Sequence, residues 1–190
     1  MRKIFFLTLF IICFNAKSQN LSFYFDLIPE ELVPFLNIES RKNRIDTISD
    51  RFLSMHTTNI STLSIKMMPV ERDTTNILTV IQSVETVGTT DSNIKFYTTT
   101  WSKLPRNNYF NVPTYKDFYQ QNDDVSLEEF TTYCIPLLVK YAFVDETIQA
   151  TIDPEKYLPT ETYKKISPAL TKKPVIYIWK NDRWENTSAL

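Results

Sequence analysis

Between residues 61 and 101 the chain keeps a period of two. Leu63, Ile65 and Met67 alternate with Ser64 and Lys66, the pattern of a strand with one buried face. Residues 77–87 and 94–101 are rich in β-branched and aromatic side chains. The stretch between them, Gly88-Thr-Thr-Asp-Ser-Asn93, carries turn-forming residues, so the pair reads as an antiparallel hairpin. Pro69 ends the first strand and a polar connection, residues 71–76, leads to the second. Three strands joined by short links predict an antiparallel meander.

Before this region the spacing is helical. Residues 19–51 read as helix broken at prolines. Pro29 suits a first helical turn, with Glu30 and Glu31 against the positive end of the dipole and Leu32, Phe35 and Leu36 as the apolar face. A second helix is predicted over residues 41–54, with Ser40 as N-cap and Ile45, Ile48 and Phe52 at helical spacing. After the meander, residues 115–121 and 126–133 read as helices, the latter opening on the capping-box pattern Ser126-x-x-Glu129. Residues 137–144 and 147–152 flank Asp145-Glu146 as strands, and a short helix fits residues 160–166 between Pro159 and Pro168. The chain closes on a hairpin, residues 175–179 and 183–185 about Asn181-Asp182. A two-residue loop there sets Trp179 opposite Trp184 and Lys180 opposite Arg183. The expected class is α+β: a largely antiparallel β-sheet of meander and hairpins, with short helices packed on one face.

The first residues change the picture of where such a domain works. Met1-Arg2-Lys3 is basic, residues 4–14 are apolar apart from Thr8, and small residues follow at Ala16 and Ser18. That order predicts a signal peptide, residues 1–18, cleaved before Gln19. The apolar run is too short to span a bilayer, which takes about 20 residues. Cys13 follows Ile11-Ile12, where a lipid-modified cysteine would need a small residue before it. Residues 19–190 are then expected to form a single α+β domain. Cleavage removes three of the 21 basic residues against 22 acidic ones, leaving a mildly acidic chain without a nucleic-acid footprint and with no later transmembrane anchor. It also leaves Cys134 as the sole cysteine, so no intrachain disulfide can form.

Several of these features together resemble a known family. Ile28-Pro-Glu-Glu-Leu-Val-Pro-Phe-Leu36, Asn43-Arg-Ile-Asp46, Asp91-Ser92, Phe96-Tyr97, Trp101, Pro174-Val-Ile-Tyr-Ile-Trp179 and Asn181-Asp-Arg-Trp184 are similar to the pattern of an uncharacterised secreted family of Bacteroidales, DUF3256. The family's final turn is expected to carry Asp-Gly, where this chain has Asn181-Asp182. The resemblance implies an exported α+β protein and brings no activity or site residues. It also implies a modification: Bacteroidales attach glycans at Asp followed by Ser or Thr and then an aliphatic residue or Thr. Asp46-Thr47-Ile48 and Asp73-Thr74-Thr75 match, and Thr74, in a polar connection, is the favoured acceptor.

Chemistry is limited by what the chain lacks. Gly88 is the sole glycine, which excludes phosphate-cradling loops, dinucleotide fingerprints and a G-x-S-x-G elbow. One histidine, His56, and one mature cysteine exclude the usual His/Cys zinc sets; no metal site or cofactor is implied. A His56–Cys134 pair is formally open, although Cys134-Ile-Pro-Leu-Leu138 reads as a buried thiol. Asp123-Asp124 and Glu128-Glu129 could supply an acid and a base for hydrolysis, but neighbouring carboxylates diverge on a helix and alternate on a strand.

Aromatic side chains are the remaining signal. Tyr97 and Trp101, and Tyr177, Trp179 and Trp184, could stack on sugars or anchor a partner if exposed; if buried they are packing, the reading that strand aromatics favour. The sequence thus supports an exported, non-enzymatic binding or interaction module at the cell envelope, periplasmic or extracellular, with an envelope protein or glycan as partner. The alternatives are a carboxylate-dependent hydrolase such as a glycosidase, or a structural envelope component.

Overall fold

A computed structural model describes residues 20–71, 75–86 and 88–187. The predicted signal peptide and Thr74 lie outside them. Among the described residues ten strands form two antiparallel sheets, and the α+β expectation holds. The larger sheet is a meander: β1 (Ile45–Ile48), β2 (Phe52–Thr58), β3 (Ser61–Pro69), β4 (Asn76–Thr86), β5 (Thr89–Thr98) and β6 (Lys103–Leu104), neighbours in chain order. The smaller sheet holds β7 (Lys140–Val144), β8 (Thr147–Thr151), β9 (Val175–Lys180) and β10 (Arg183–Asn186), in the order β10-β9-β8-β7.

The alternation in the meander sorts side chains onto two faces. On the outer face Leu53, Met55, Leu63, Ile65, Met67, Leu78, Val80 and Tyr97 form a core with the N-terminal segment, which contributes Leu21 and Phe25 of α1 (Leu21–Phe25), Ile28, Leu32 and Val33. On the inner face Met68, Ile77, Ile81, Ile94 and Phe96 join a second core with Tyr141, Ile148, Ala150, Val175, Tyr177 and Trp184 of the smaller sheet. Helical segments close that second core through Phe118 of α4 (Tyr115–Phe118), Phe130 of α5 (Leu127–Tyr133) and Ile166 of α6 (Thr160–Ile166). Two further short helices are α2 (Ile38–Lys42) and α3 (Arg106–Tyr109).

Local turn chemistry behaves as the sequence predicts, with one shift. Thr86 pairs with Thr89, so the β4–β5 loop is two residues long and residues 89–93, read as turn, continue the strand. Gly88 sits at φ 78°, where any Cβ would be strained. In the last hairpin Asn181 (φ 52°) and Asp182 (φ 61°) are both left-handed, as a two-residue primed turn requires. Lys180 pairs with Arg183 and Trp179 with Trp184; the indoles share a face, with centroids 5.5 Å apart and planes at 71°. The capping box is present, Ser126 and Glu129 each accepting from the other's backbone N–H, and the helix between Pro159 and Pro168 spans Thr160–Ile166.

Residues 41–54 are not the predicted helix. α2 ends at Lys42 and its N-cap is Asn37, whose Oδ1 accepts from the Ser40 N–H at 2.8 Å. The guanidinium of buried Arg41 then donates to the Leu36 and Ile28 carbonyls, and the chain enters β1 and β2. The buried positions are Leu53 and Met55, two apart, while Ile48 is 42% exposed. Pairing of β2 with β3 outweighs a helical spacing that β-branched Ile45, Thr47 and Ile48 support weakly.

The Pro29 helix is likewise a single 3-10 turn, Glu30–Leu32, with Leu32 buried. Phe35, assigned to its apolar face, is 98% exposed at φ 63°. The one-buried-face reading of β3 fails at its C-terminal end. Lys66 and Met68 are as buried as Ile65 and Met67, because the smaller sheet covers the opposite face there.

Candidate inter-sheet groove

Cross-strand pairing arranges the inner face of the large sheet in rows, each running across β2, β3, β4 and β5. The row Phe52, Lys66, Thr79, Phe96 lies under the small sheet. Lys66 is 5% exposed; its ammonium pairs with Glu146 at 3.1 Å and donates to the Asp145 carbonyl, both at the β7–β8 turn. Thr79 Oγ1 accepts from Trp184 Nε1 at 3.0 Å, both groups buried. Every polar side chain in this row is therefore met by a group from the other sheet, as burial demands.

The next row, Ser54, Ser64, Ile81, Ile94, is buried at β4 and β5 and half-open at β2 and β3. The third row, His56, Thr62, Ser83, Ser92, is polar throughout and none of it is fully buried. Ser83 and Ser92 hydroxyls are 2.8 Å apart. His56 Nε2 lies 3.6 Å from Asp46 Oδ2, both exposed.

β7 crosses this face obliquely. Its N-terminal end is tied to β5, where Ser92 N–H donates to the Val139 carbonyl at 2.9 Å and Val139 N–H to Asp91 Oδ1 at 3.3 Å. Its other end reaches β2, where Phe143 packs edge-on against Phe52 at 6.0 Å. Between β7 and the polar row lies a groove of about 360 Å³, with His56, Thr62 and Ser83 on its floor and Lys140, Tyr141 and Phe143 on its wall. It opens into a wider cavity of about 630 Å³ at the β4–β5 loop, which adds Asp153 and Lys156. Glu85, Thr90 and Lys140 line both. Asp153 is paired with Lys156 at 3.1 Å, whereas Glu85 and Lys140 have no ion-pair partner among the described residues.

The aromatic candidates lie elsewhere. Tyr97 is 1% exposed and donates to Glu31 Oε1 at 2.9 Å; burial first, then that carboxylate, drives its pKa well up. Trp101 is half-buried beside it, its Nε1 donating to the Tyr24 carbonyl at 3.2 Å. Tyr177 and Trp184 are core, Tyr177 stacking on Phe110 with centroids 4.6 Å apart. Trp179 is half-buried and donates to the Pro69 carbonyl at 2.9 Å. None of the five lines the groove.

The other weighed groups also fall outside it, except His56. Cys134 is fully buried, its Sγ 3.7 Å from the Tyr157 hydroxyl. Burial pushes the thiol pKa up, the opposite of an activated nucleophile. Glu129 serves the α5 cap and pairs with Lys165 at 3.3 Å; the Ser126 backbone N–H, then Lys165, hold its pKa below the usual value. Asp123, Asp124 and Glu128 are exposed. Among the described residues no three His, Cys, Asp or Glu side chains gather to hold a metal ion, and no helix is long and apolar enough to cross a membrane.

The groove escaped the sequence reading because its signal is ordinary. Ser, Thr and His opposite Leu53, Met55, Leu63 and Ile65 look like a solvated strand face, and nothing local says which part a second sheet will cover.

The comparisons agree with this architecture. A solved domain of an uncharacterized protein from Porphyromonas gingivalis W83 superposes with a TM-score of 0.77 at 19% identity, over 88% of this chain and 97% of that one, which establishes a shared fold. Among curated proteins none matches. The family described as "Protein of unknown function (DUF3256)" matches residues 41–184, from the buried Arg41 to the indole that seals the two sheets together, and the chain belongs to that family.

Proposed function

We propose that this protein is an exported binding module of the cell envelope and that it holds its ligand in the inter-sheet groove. One observation carries the reading. A single sheet face is sealed at the Lys66–Thr79 row and left open, polar and recessed at the His56–Thr62–Ser83 row. A recess walled by strands, with converging hydroxyls, an imidazole and the Lys140 ammonium, has the form of a binding site. Asp123-Asp124 and Glu128-Glu129 do not line it, and of the carboxylates that do, Glu85 in the groove and Asp153 in the wider cavity, Asp153 is paired with Lys156, which favours binding over the hydrolase alternative. Export rests on the order of basic, apolar and small residues at positions 1–18.

Affinity capture from the native envelope tests the groove. Ser83→Trp should fill it, and a component retained by the wild-type chain should be lost from that variant at unchanged thermal midpoint. Equal retention by both would refute the assignment. The native-host protein should begin at Gln19 by N-terminal mass analysis, and retention of residues 4–14 would refute export. A glycan at Thr74 is part of the same proposal: a mass increment that Thr74→Ala removes supports it, and an increment surviving that change rejects it.

A further inference from the structure

We infer that the groove accepts an extended polypeptide segment, which adds as a further strand to the free edge of β7; the inference rests on the groove being the binding site and names its ligand class. The register of β7 decides which backbone groups are available. Val144 pairs with Thr147 across the two-residue Asp145-Glu146 turn, and the ladder continues with Ala142 opposite Gln149 and Lys140 opposite Thr151. In such a ladder hydrogen-bonded pairs alternate with non-bonded ones, beginning bonded at the turn. Lys140, Ala142 and Val144 therefore turn their N–H and C=O groups toward β8, while Val139, Tyr141 and Phe143 turn theirs away.

Val139 shows that this direction is right, since it meets Ser92 and Asp91 of β5 through both backbone groups. Beyond it the two sheets diverge. Among the described residues no backbone or side-chain partner meets the N–H or C=O of Tyr141 or Phe143, and both residues wall the groove. Two donors and two acceptors thus stand in a line along a recess, at the spacing of one strand.

The floor fits the same occupant. Adjacent strands lie about 4.8 Å apart and packed sheets about 10 Å apart. A strand hydrogen-bonded to Tyr141 and Phe143 then lies above the His56–Thr62–Ser83 row and extends the small sheet over the part of the large sheet it leaves bare. Its alternate side chains point at hydroxyls in a narrow space, so small Ser, Thr or Asn residues fit there. Backbone pairing supplies affinity and the floor supplies selectivity, as in other strand-addition sites. Lys140 and Glu85, both without ion-pair partners among the described residues, stand where the segment passes into the wider cavity and set its preferred charges.

The free protein offers the first test. In amide hydrogen exchange Tyr141 and Phe143 should exchange at least tenfold faster than Ala142 and Val144, which are bonded to β8. Equal protection would mean the edge is already occupied and would overturn the inference. The second test uses peptides selected on the protein from a displayed library of random dodecapeptides. A selected peptide should slow exchange at Tyr141 and Phe143 and shift the signals of His56, Thr62 and Ser83. N-methylation at alternate peptide positions should weaken it at least tenfold, and at the positions between them leave binding within about twofold. Shifts at His56, Thr62 and Ser83 without protection of the two amides would sink strand addition and leave the groove standing. Binding that shifts other residues, or a selection that returns no binder, would overturn strand addition, and the first of these would remove the groove reading with it.

Discussion

The inner face of the large sheet is one surface with two fates. At the Lys66–Thr79 row and at the His56–Thr62–Ser83 row the same strands alternate polar and apolar residues in the same way. At the first row the small sheet brings a matched partner to each polar side chain: Glu146 and the Asp145 carbonyl for Lys66, the Trp184 indole for Thr79. At the second row β7 has slanted away, and the hydroxyls face a groove. A buried polar group without a partner costs roughly 1–3 kcal/mol, whereas an open one can use water or a ligand. The closed row thus contributes stability and the open row is free to carry recognition.

The largest effect expected from this contrast belongs to Trp184, the bulkiest fully buried side chain. Trp184→Ala should cost about 3–5 kcal/mol in chemical denaturation, through lost burial and the cavity left behind. A cost near zero would mean that the small sheet does not depend on its seal. Next comes Thr79→Val, which keeps the shape and strands the indole N–H without its acceptor. It should cost about 1–3 kcal/mol, and Trp184→Phe should cost less in that background than in the wild-type chain, since the hydrogen bond is already gone.

The core shared by the two sheets should also be sensitive to alkali. Burial raises the pKa of Tyr141 and of Tyr177 above the ordinary value; at Tyr141 Arg106 opposes this and Asp91 adds a lesser increase, while at Tyr177 Tyr141 and then Asp117 add to it. In the unfolded chain these tyrosines lose their protons near pH 10, so above that pH the folded state holds more protons. Stability is therefore complete below about pH 10 and falls as pH rises toward the folded values, by less than about 1.4 kcal/mol per tyrosine per pH unit. Tyrosinate absorbance should show these rings ionising only with unfolding; reversible ionisation near pH 10 in the folded protein would contradict their burial. The smallest effect is the sharpest control. Thr62→Val, the same substitution in the open row, should change stability by no more than about 0.5 kcal/mol. If it matched Thr79→Val, the distinction between the two rows would collapse.

Much of the fold was legible because much of it is local. The last hairpin follows from two residues that tolerate positive φ between two strand-forming runs. The turn after Pro29 and the helix predicted over residues 41–54 differ from the observed elements for a common reason. Short segments with three or four apolar residues satisfy both periods, and what decides between them is the partner each side chain meets. Ile45, Ile48 and Phe52 suggest a helix face in isolation; in the protein Leu53 and Met55 go to the outer core, and the pairing with β3 settles the matter. Of the groove residues only His56 stands out in the sequence, and for a different chemistry.

Local pattern alone determined the strand alternation, the single glycine's place at a tight loop and the capped helix at Ser126, because each depends on neighbours within a few residues. Tertiary structure decided that Lys66 is buried, that Trp184 finds Thr79 across 105 positions of sequence, and that β7 lies at the sheet edge with Tyr141 and Phe143 beside a row of hydroxyls. Those outcomes depend on where one sheet stops covering another, and coverage is a property of two surfaces meeting, which no single stretch of sequence encodes.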